Sequence, residues 1–255
     1  MKVNRLYLVG AVHSDSDGRR RLEGLLKQIS PDVITIELHE ESDALAFQKE
    51  EISPQKRKRL IEKYCAKAGL KLTNVQINLL KDIEIQNEIV KGYEFHVSRE
   101  YQRANQESRI EYIAAKKEFI KPENVDKLIV DSLRHPQTRK TFLAMLGQGK
   151  DRYFAMSRKS TEMLYNAAKL FWDVVHLTGV NPMSHEPAKG ELSSEADNYF
   201  REINEMADKI RRIYDDGSKR VLSIMELNNV SVMISKVSDL KPVTMTLADY
   251  KGEKP

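Results

Sequence analysis

A histidine and a glutamate follow the first two apolar segments of the chain, where side chains of these types can do acid–base or metal chemistry. His13 comes three residues after Gly10 and shortly after the apolar run 6–9, and Glu37 directly follows a second apolar run, 33–36. An imidazole and a carboxylate held close together can form an acid–base pair or bind a divalent metal. The alternative for His13 is a structural role, as a polar strand end that bonds to a loop carbonyl.

The segments that carry these two residues are typical of a strand–helix–strand unit. Runs 6–9 and 33–39 are short and rich in apolar and β-branched residues, as in strands that are buried on both faces. A helix is predicted between them, over 19–29. A right-handed crossover is expected to place the second strand beside the first. His13 and Glu37 would then lie at the carboxyl ends of neighbouring strands, where open α/β sheets bind their ligands.

Most of the chain between the second and the last strands is predicted to be helical. Ser53 followed by Pro54 is typical of a helix start and Gly69 of a helix end, which predicts a helix over 54–68. Further helices are expected up to 215, with breaks near 135–136 and 147–149. Three more strands are predicted, over 109–114, 220–225 and 242–247.

The predicted fold class is α/β, with a small, mostly parallel central sheet, a large all-helical insertion and a long helical hairpin. The α/β core is predicted to comprise 1–45, 107–116 and 216–255. Helical insertions over 46–106 and 117–215 are predicted to pack on this core or to project from it.

Two long helices, over 151–177 and 194–215, are predicted to form the hairpin. The loop between them, 178–194, is either functional or mobile, because connections of this length without secondary structure are uncommon. Hairpins of this kind often mediate dimerisation, so a homo-oligomer through the long helices is expected.

The composition limits the classes of function. The chain has 255 residues, of which 31% are charged, with a formal net charge of +4 and one cysteine, Cys65. An intrachain disulfide is therefore excluded, and the charge gives no strong argument for nucleic-acid binding. The basic run 56–59 is either a solvated helix face or a patch for an anionic partner. No apolar run is long enough for a transmembrane helix or a signal peptide, so a cytoplasmic location without membrane contact is expected.

Three patterns in the chain resemble motifs of the TraB/PrgY/GumN/TIKI superfamily. The similarity covers the first 40 residues well, the middle by motif and the end loosely. The patterns are Gly10-Ala-Val-His13 followed by Pro31-Asp32-Val-Ile-Thr-Ile-Glu37-Leu; Gly92-Tyr-Glu94; and Gly149-Lys-Asp151-Arg152-Tyr153-Phe-Ala155.

The resemblance implies a metal-dependent hydrolase of peptide or ester bonds, with its active site at the carboxyl ends of the first two strands. In that reading, a metal held by His13 and Glu37 polarises a carbonyl and activates water, and Glu94 acts as general base. Arg152 holds an anionic end of the substrate or stabilises the oxyanion. The candidate substrate-binding residues are Gly10, Arg152 and Tyr153.

These roles have structural alternatives. Glu94 is equally compatible with an exposed position on a helix. Arg152 is equally compatible with a structural ion pair, although a planar guanidinium is well suited to bind a carboxylate, carbonyl or phosphate. Tyr153 also fits a core or interface position.

The chain departs from the family where the family commonly has a second G-x-x-H. Here the residues are Glu226-Leu-Asn-Asn229. Asn229 is a poor ligand for transition metals, whereas Glu226 offers carboxylate oxygens. The predicted metal ligands are therefore His13, Glu37 and Glu226, an oxygen-rich set that favours Mn, Co or Mg over Zn. The alternative is an inactive regulatory protein that binds a peptide or a small molecule on the same scaffold, without a metal.

Overall fold

The structure is a computed structural model that describes residues 5–39, 53–90, 92–114, 122–147, 149–178, 194–217 and 220–250. These ranges contain five strands: β1 (Arg5–Ala11), β2 (Val33–Ile36), β3 (Arg109–Tyr112), β4 (Arg220–Glu226) and β5 (Val243–Thr246). They contain nine α-helices: α1 (Gly18–Ile29), α2 (Pro54–Lys67), α3 (Asn74–Val90), α4 (Tyr93–Ala104), α5 (Pro122–Arg134), α6 (Pro136–Leu146), α7 (Lys150–Thr178), α8 (Ser194–Asp215) and α9 (Leu227–Lys236). Nearly all of the predicted loop 178–194 lies outside the described residues.

The five strands form one parallel sheet in the order β3-β2-β4-β1-β5. This confirms the predicted α/β fold with helical insertions. The expectation that β2 lies beside β1 is wrong, because β4 pairs with both strands and separates them. Every residue of Val221–Met225 is buried, so β4 has the apolar sequence of a central strand. The sequence of a single strand does not show which two strands it will lie between in the sheet.

The strand order predicts a ligand crevice between β1 and β4. The chain leaves β1 for β2 in one direction along the sheet and leaves β4 for β5 in the other. Right-handed crossovers in opposite directions lie on opposite faces, so α1 and α9 cover different faces of the sheet. The order reverses between the neighbours β1 and β4, and open α/β sheets bind ligands outside the carboxyl ends of the strands at such a point.

The chain divides into two compact units. The first comprises 1–43, 90–116 and 160–255 and contains the sheet. Its core includes buried apolar residues of both long helices, namely Tyr165, Trp172, Ile203, Met206 and Ile210.

The second unit comprises 44–89 and 117–159. Its helices α2, α3, α5 and α6 bury apolar clusters around Ile61, Cys65 and Ile77. The predicted start of α2 is confirmed, since the Ser53 hydroxyl accepts a hydrogen bond from the Lys56 amide at 3.3 Å and Pro54 is the first helical residue. Gly69 follows the helix with a φ of +69°, which glycine adopts without steric cost.

Gly10 lets strand β1 pass directly under two core side chains. A Cβ atom at this position would lie 2.6 Å from Leu227 Cδ1 and 2.8 Å from Trp172 Cη2. Both side chains are buried. Gly10 therefore allows Leu227 and Trp172 to pack closely against the backbone of β1 inside the core.

We expect Gly10→Ala to lower the free energy of unfolding by about 1–3 kcal/mol, the usual cost of an overpacked core. Chemical denaturation followed by circular dichroism measures the change. Leu227→Ala removes one of the two clashing atoms, so the double variant should lose less than the sum of the two single losses. Strictly additive losses would contradict the steric explanation.

Candidate functional site

His13 and Glu94 form a hydrogen-bonded pair beyond the carboxyl end of β1. The His13 Nδ1 atom lies 2.7 Å from Glu94 Oε1. The Glu94 side chain is 6% exposed, whereas the His13 ring is 55% exposed. Because a carboxylate only accepts hydrogen bonds, Nδ1 carries the proton in this pair. The Nε2 atom of the accessible ring is then the position from which His13 can act on a ligand.

Local sequence explains how Glu94 reaches this position. Gly92 precedes α4 with a φ of +77°, and Glu94 lies in the first turn of the helix. A carboxylate is favourable near a helix N-terminus. Its neighbours Tyr93 and Phe95 are buried in the core of the first unit. Their packing holds the first turn of α4 in place. His96, two residues further along, is exposed.

Glu37, beyond the carboxyl end of β2, is bonded to the last residue of β4 and to the first turn of α9. Its Oε2 atom accepts a hydrogen bond from the Glu226 amide at 2.8 Å, and its Oε1 atom accepts one from Asn229 Nδ2 at 2.6 Å. The Tyr199 hydroxyl of α8 donates to Asn229 Oδ1 at 2.9 Å. Asn229 thus links Glu37 to α8.

The site is rich in negative charge. The hydrogen bond to Glu94 raises the pKa of His13 above 6.5 against the opposing effect of burial, and the charges of Glu94, Glu226 and Glu37 raise it further. Burial raises the pKa of Tyr199, and the charges of Glu37 and Glu226 add to that effect. The three carboxylates therefore act on the same small region and favour the imidazolium form of His13.

The segment that carries His13 is held by two buried tyrosines. The Val12 amide donates to the Tyr165 hydroxyl at 3.2 Å, and the Tyr93 hydroxyl donates to the Val12 carbonyl at 3.4 Å. The Tyr165 hydroxyl donates in turn to Asp15 Oδ2 at 3.0 Å. Both polar groups of the residue before His13 are thereby fixed. Sequence reasoning missed this arrangement, because no local pattern relates Tyr165 to β1.

Asp15 connects this network to α1. It is 3% exposed and accepts a further hydrogen bond from Arg21 Nη1 at 3.2 Å. Burial raises its pKa above the usual value, and the hydrogen bond from the Asp17 amide, the charge of Arg21 and the hydrogen bond from the Tyr165 hydroxyl offset only part of this rise. Arg21 also pairs with Glu162 of α7. The hydrogen bonds and the charge of Arg21 thus offset part of the cost of burying this carboxylate.

The predicted metal ligands do not make up a ready-made metal-binding group in the described part of the chain. Among the described residues there is no group of three or more His, Cys, Asp and Glu side chains that could hold a metal ion. His13 Nδ1 is bonded to Glu94, and both oxygens of Glu37 accept hydrogen bonds from nitrogen donors. His13, Glu37 and Glu226 therefore do not fit a preformed metal centre, and metal binding stays a prediction.

The remaining candidate residues are Gly10, Arg152 and Tyr153. Gly10 lies under core side chains, as described above. Arg152 and Tyr153 belong to the second unit, where Arg152 is exposed and Tyr153 packs on an apolar cluster with Leu146. Their roles at the substrate stay predictions.

A cavity of about 710 Å³ lies in the first unit between α7 and β5. Tyr165, Trp172 and Lys169 line it on the helix side, and Thr244 and Asp249 line it on the other. The Thr244 hydroxyl is buried and has no hydrogen-bond partner among the described residues. Buried polar groups are normally paired, so this hydroxyl is an exception to the rule.

We expect the His13 pKa, measured by NMR titration, to lie above 6.5 and to fall in Glu94→Gln, because the bond to Glu94 is the largest cause of the shift. A raised folded-state pKa means that the pair stabilises the fold below pH 6.5 and that this contribution is lost as the pH rises through the folded-state value. The difference in unfolding free energy between wild type and His13→Asn should shrink over that range. An unchanged His13 pKa in Glu94→Gln would contradict the assignment.

Comparisons of the chain with protein-family models, curated proteins and solved structures found no match. The resemblance to the TraB/PrgY/GumN/TIKI superfamily therefore stays a prediction. The described helices do not combine the length and the apolar character that a membrane-spanning segment requires.

Proposed function

We propose that this protein hydrolyses ester or peptide bonds, with His13 as the acid–base group and Glu94 as the residue that positions it. The observation that carries the proposal is the 2.7 Å bond between the accessible His13 ring and the buried Glu94 carboxylate. A carboxylate that fixes the tautomer and orientation of a histidine is the arrangement found in hydrolytic triads. His13 and Glu94 also belong to the motifs that resemble the TraB/PrgY/GumN/TIKI superfamily, which supports a hydrolase of that type.

The reaction that these residues can support begins with neutral His13. Its Nε2 atom accepts a proton from water while the water oxygen attacks the carbonyl carbon of the substrate. The resulting imidazolium is stabilised by Glu94 and by the nearby charges of Glu37 and Glu226. The tetrahedral intermediate then collapses, the bond to the leaving alkoxide or amine breaks, and His13 donates its proton to that leaving group.

Glu94 is better suited to position His13 than to act as a base itself. Its side chain is 6% exposed, and Oε1 is bonded to His13 Nδ1. A general base must reach the proton that it abstracts. The exposed imidazole meets this requirement in the described arrangement.

A hydrolysis screen tests the proposal. The purified protein is assayed with aryl esters and short peptides, before and after dialysis against a chelator and then with added Mn²⁺, Co²⁺ or Mg²⁺. We expect turnover of at least one substrate class that persists after chelation. No turnover under any condition would contradict a hydrolase, and turnover that requires added metal would replace the His13–Glu94 mechanism by the metal-dependent one.

A second candidate is a protein that binds a peptide or small molecule without turnover. The cavity between α7 and β5, whose wall includes the charged side chains of Lys169 and Asp249, favours it. Calorimetric titration with the peptides of the hydrolysis screen tests this function. Binding that is weakened by Ala248→Trp, which places a large side chain in the wall of the cavity, together with no turnover, would support it, and the absence of binding would contradict it.

A further inference from the structure

One face of α7 within the first unit presents apolar side chains to solvent. Met163, Leu164 and Leu170 are 63%, 52% and 68% exposed. Ser160 and Ala167, which lie between and beside them, are exposed as well. Isolated exposed apolar residues are common, but several together on one helix face mark an interaction surface.

The opposite face of the same segment of α7 packs against the first unit. Tyr165 and Trp172 are buried in the core of the first unit. Glu162 and Lys169 lie at the side and line the cavity next to β5. The packing of the first unit therefore directs the apolar face away from its own core.

The exposed residues follow the spacing of a coiled-coil seam. Ser160, Met163, Ala167 and Leu170 are separated by three, four and three residues. This spacing keeps them in line for a second helix. We call these four residues the α7 seam. Small and large side chains alternate along it, and none of its members is charged.

We propose that two copies of this chain form a dimer by packing their α7 seams against each other in antiparallel orientation. With the two-fold axis near position 165, Ser160 lies opposite Leu170 of the partner subunit, and Met163 lies opposite Ala167 of the partner subunit. Each layer then pairs one large side chain with one small side chain. Leu164, beside the seam, meets Leu164 of the partner subunit at the axis.

The sequence of the seam argues for a second copy as the occupant. A C2 interface must be complementary to itself, and the alternation of small and large residues meets this condition only when the helices run in opposite directions. A parallel pair would place Met163 on Met163 of the partner subunit and Ser160 on Ser160 of the partner subunit, which alternates overfilled and empty layers. The lack of charge in the seam also fits the core of an interface.

The first test is the molecular mass in solution as a function of concentration, measured by analytical ultracentrifugation. We expect wild type to dimerise, and Met163→Glu or Leu170→Glu to raise the dissociation constant about 30-fold or more, the effect of losing an interface hot spot. Val75→Glu is the matched control, because Val75 is an apolar residue on α3 that is 78% exposed. Circular dichroism checks that each variant is folded. A monomeric wild type, or seam variants that dimerise as wild type does, would overturn the proposal.

The second test distinguishes the orientation of the helices with a short bismaleimide cross-linker. Leu164→Cys is expected to cross-link across the axis. Leu170→Cys is not, because the two copies of position 170 are separated by about 15 Å along the helix at a rise of 1.5 Å per residue. Wild type is the control, since its single cysteine, Cys65, is buried. Cross-linking at both positions indicates a parallel pair, and cross-linking at neither would overturn the seam. Neither test depends on hydrolytic activity.

Discussion

We expect His13→Ala to lower the turnover of any ester or peptide substrate by about 10²–10⁴-fold, the usual contribution of a positioned acid–base group. The imidazole is the accessible member of the His13–Glu94 pair, and Glu94 is too deeply buried to replace it. Steady-state kinetics on the substrates found in the hydrolysis screen measure the effect. The loss should appear in kcat more than in KM, because proton transfer is made in the transition state.

His96→Ala is the matched control for this variant. His96 is also an exposed histidine, and it lies on α4 only two residues from Glu94. It should leave turnover within about twofold of wild type, in keeping with the small effect of most substitutions away from a reacting group. A His13→Ala variant that is folded and retains wild-type turnover would exclude His13 as the acid–base group.

The pH dependence of turnover separates positioning by Glu94 from a purely structural role. The free-base form of His13 is the reactive one, so kcat/KM should rise with pH through the raised pKa of His13. In Glu94→Gln this rise should move to lower pH, because the largest cause of the raised pKa is gone. A variant that merely loses stability would lower the rate without moving the profile.

Trp172→Ala is expected to have the largest effect on stability, a loss of about 3–5 kcal/mol in the free energy of unfolding. The indole is 3% exposed and lies directly above Gly10 of the central part of the sheet. Its Nε1 atom donates a hydrogen bond to the Ser231 hydroxyl of α9 at 2.9 Å. The substitution therefore leaves a cavity and removes a buried hydrogen bond at the same time.

Urea denaturation followed by circular dichroism at several wavelengths measures this loss, since the chain has only one tryptophan and the variant has no intrinsic indole signal. Trp172→Phe should lose less than Trp172→Ala because it keeps most of the volume. Asn166→Ala, at an exposed position on the same helix, should change stability by no more than about 0.5 kcal/mol. Equal losses for all three variants would contradict the packing role of the indole.

The sequence alone was sufficient for the local elements. The buried run Val221–Met225 and the capping pair Ser53 and Pro54 depend on residues within a few positions of one another, so their strand and helix could be read directly. The same holds for the position of His13, since the strand before it ends at Ala11, soon after the apolar run 6–9. A parallel α/β sheet followed from the alternation of such runs with helical patterns.

Which residues distant in sequence contact one another depends on the tertiary structure. Glu94 reaches His13 across 81 positions of sequence, and β4 separates β1 from β2 although it comes near the end of the chain. The sequence also could not show why position 10 requires glycine, because Trp172 and Leu227, which a side chain there would clash with, are remote in sequence. Local propensity reflects the energies of neighbouring residues, whereas strand order and side-chain pairs depend on how the whole core packs. The sequence therefore determined the parts of the site, and only the fold determined that His13 is paired with Glu94 rather than with Glu37.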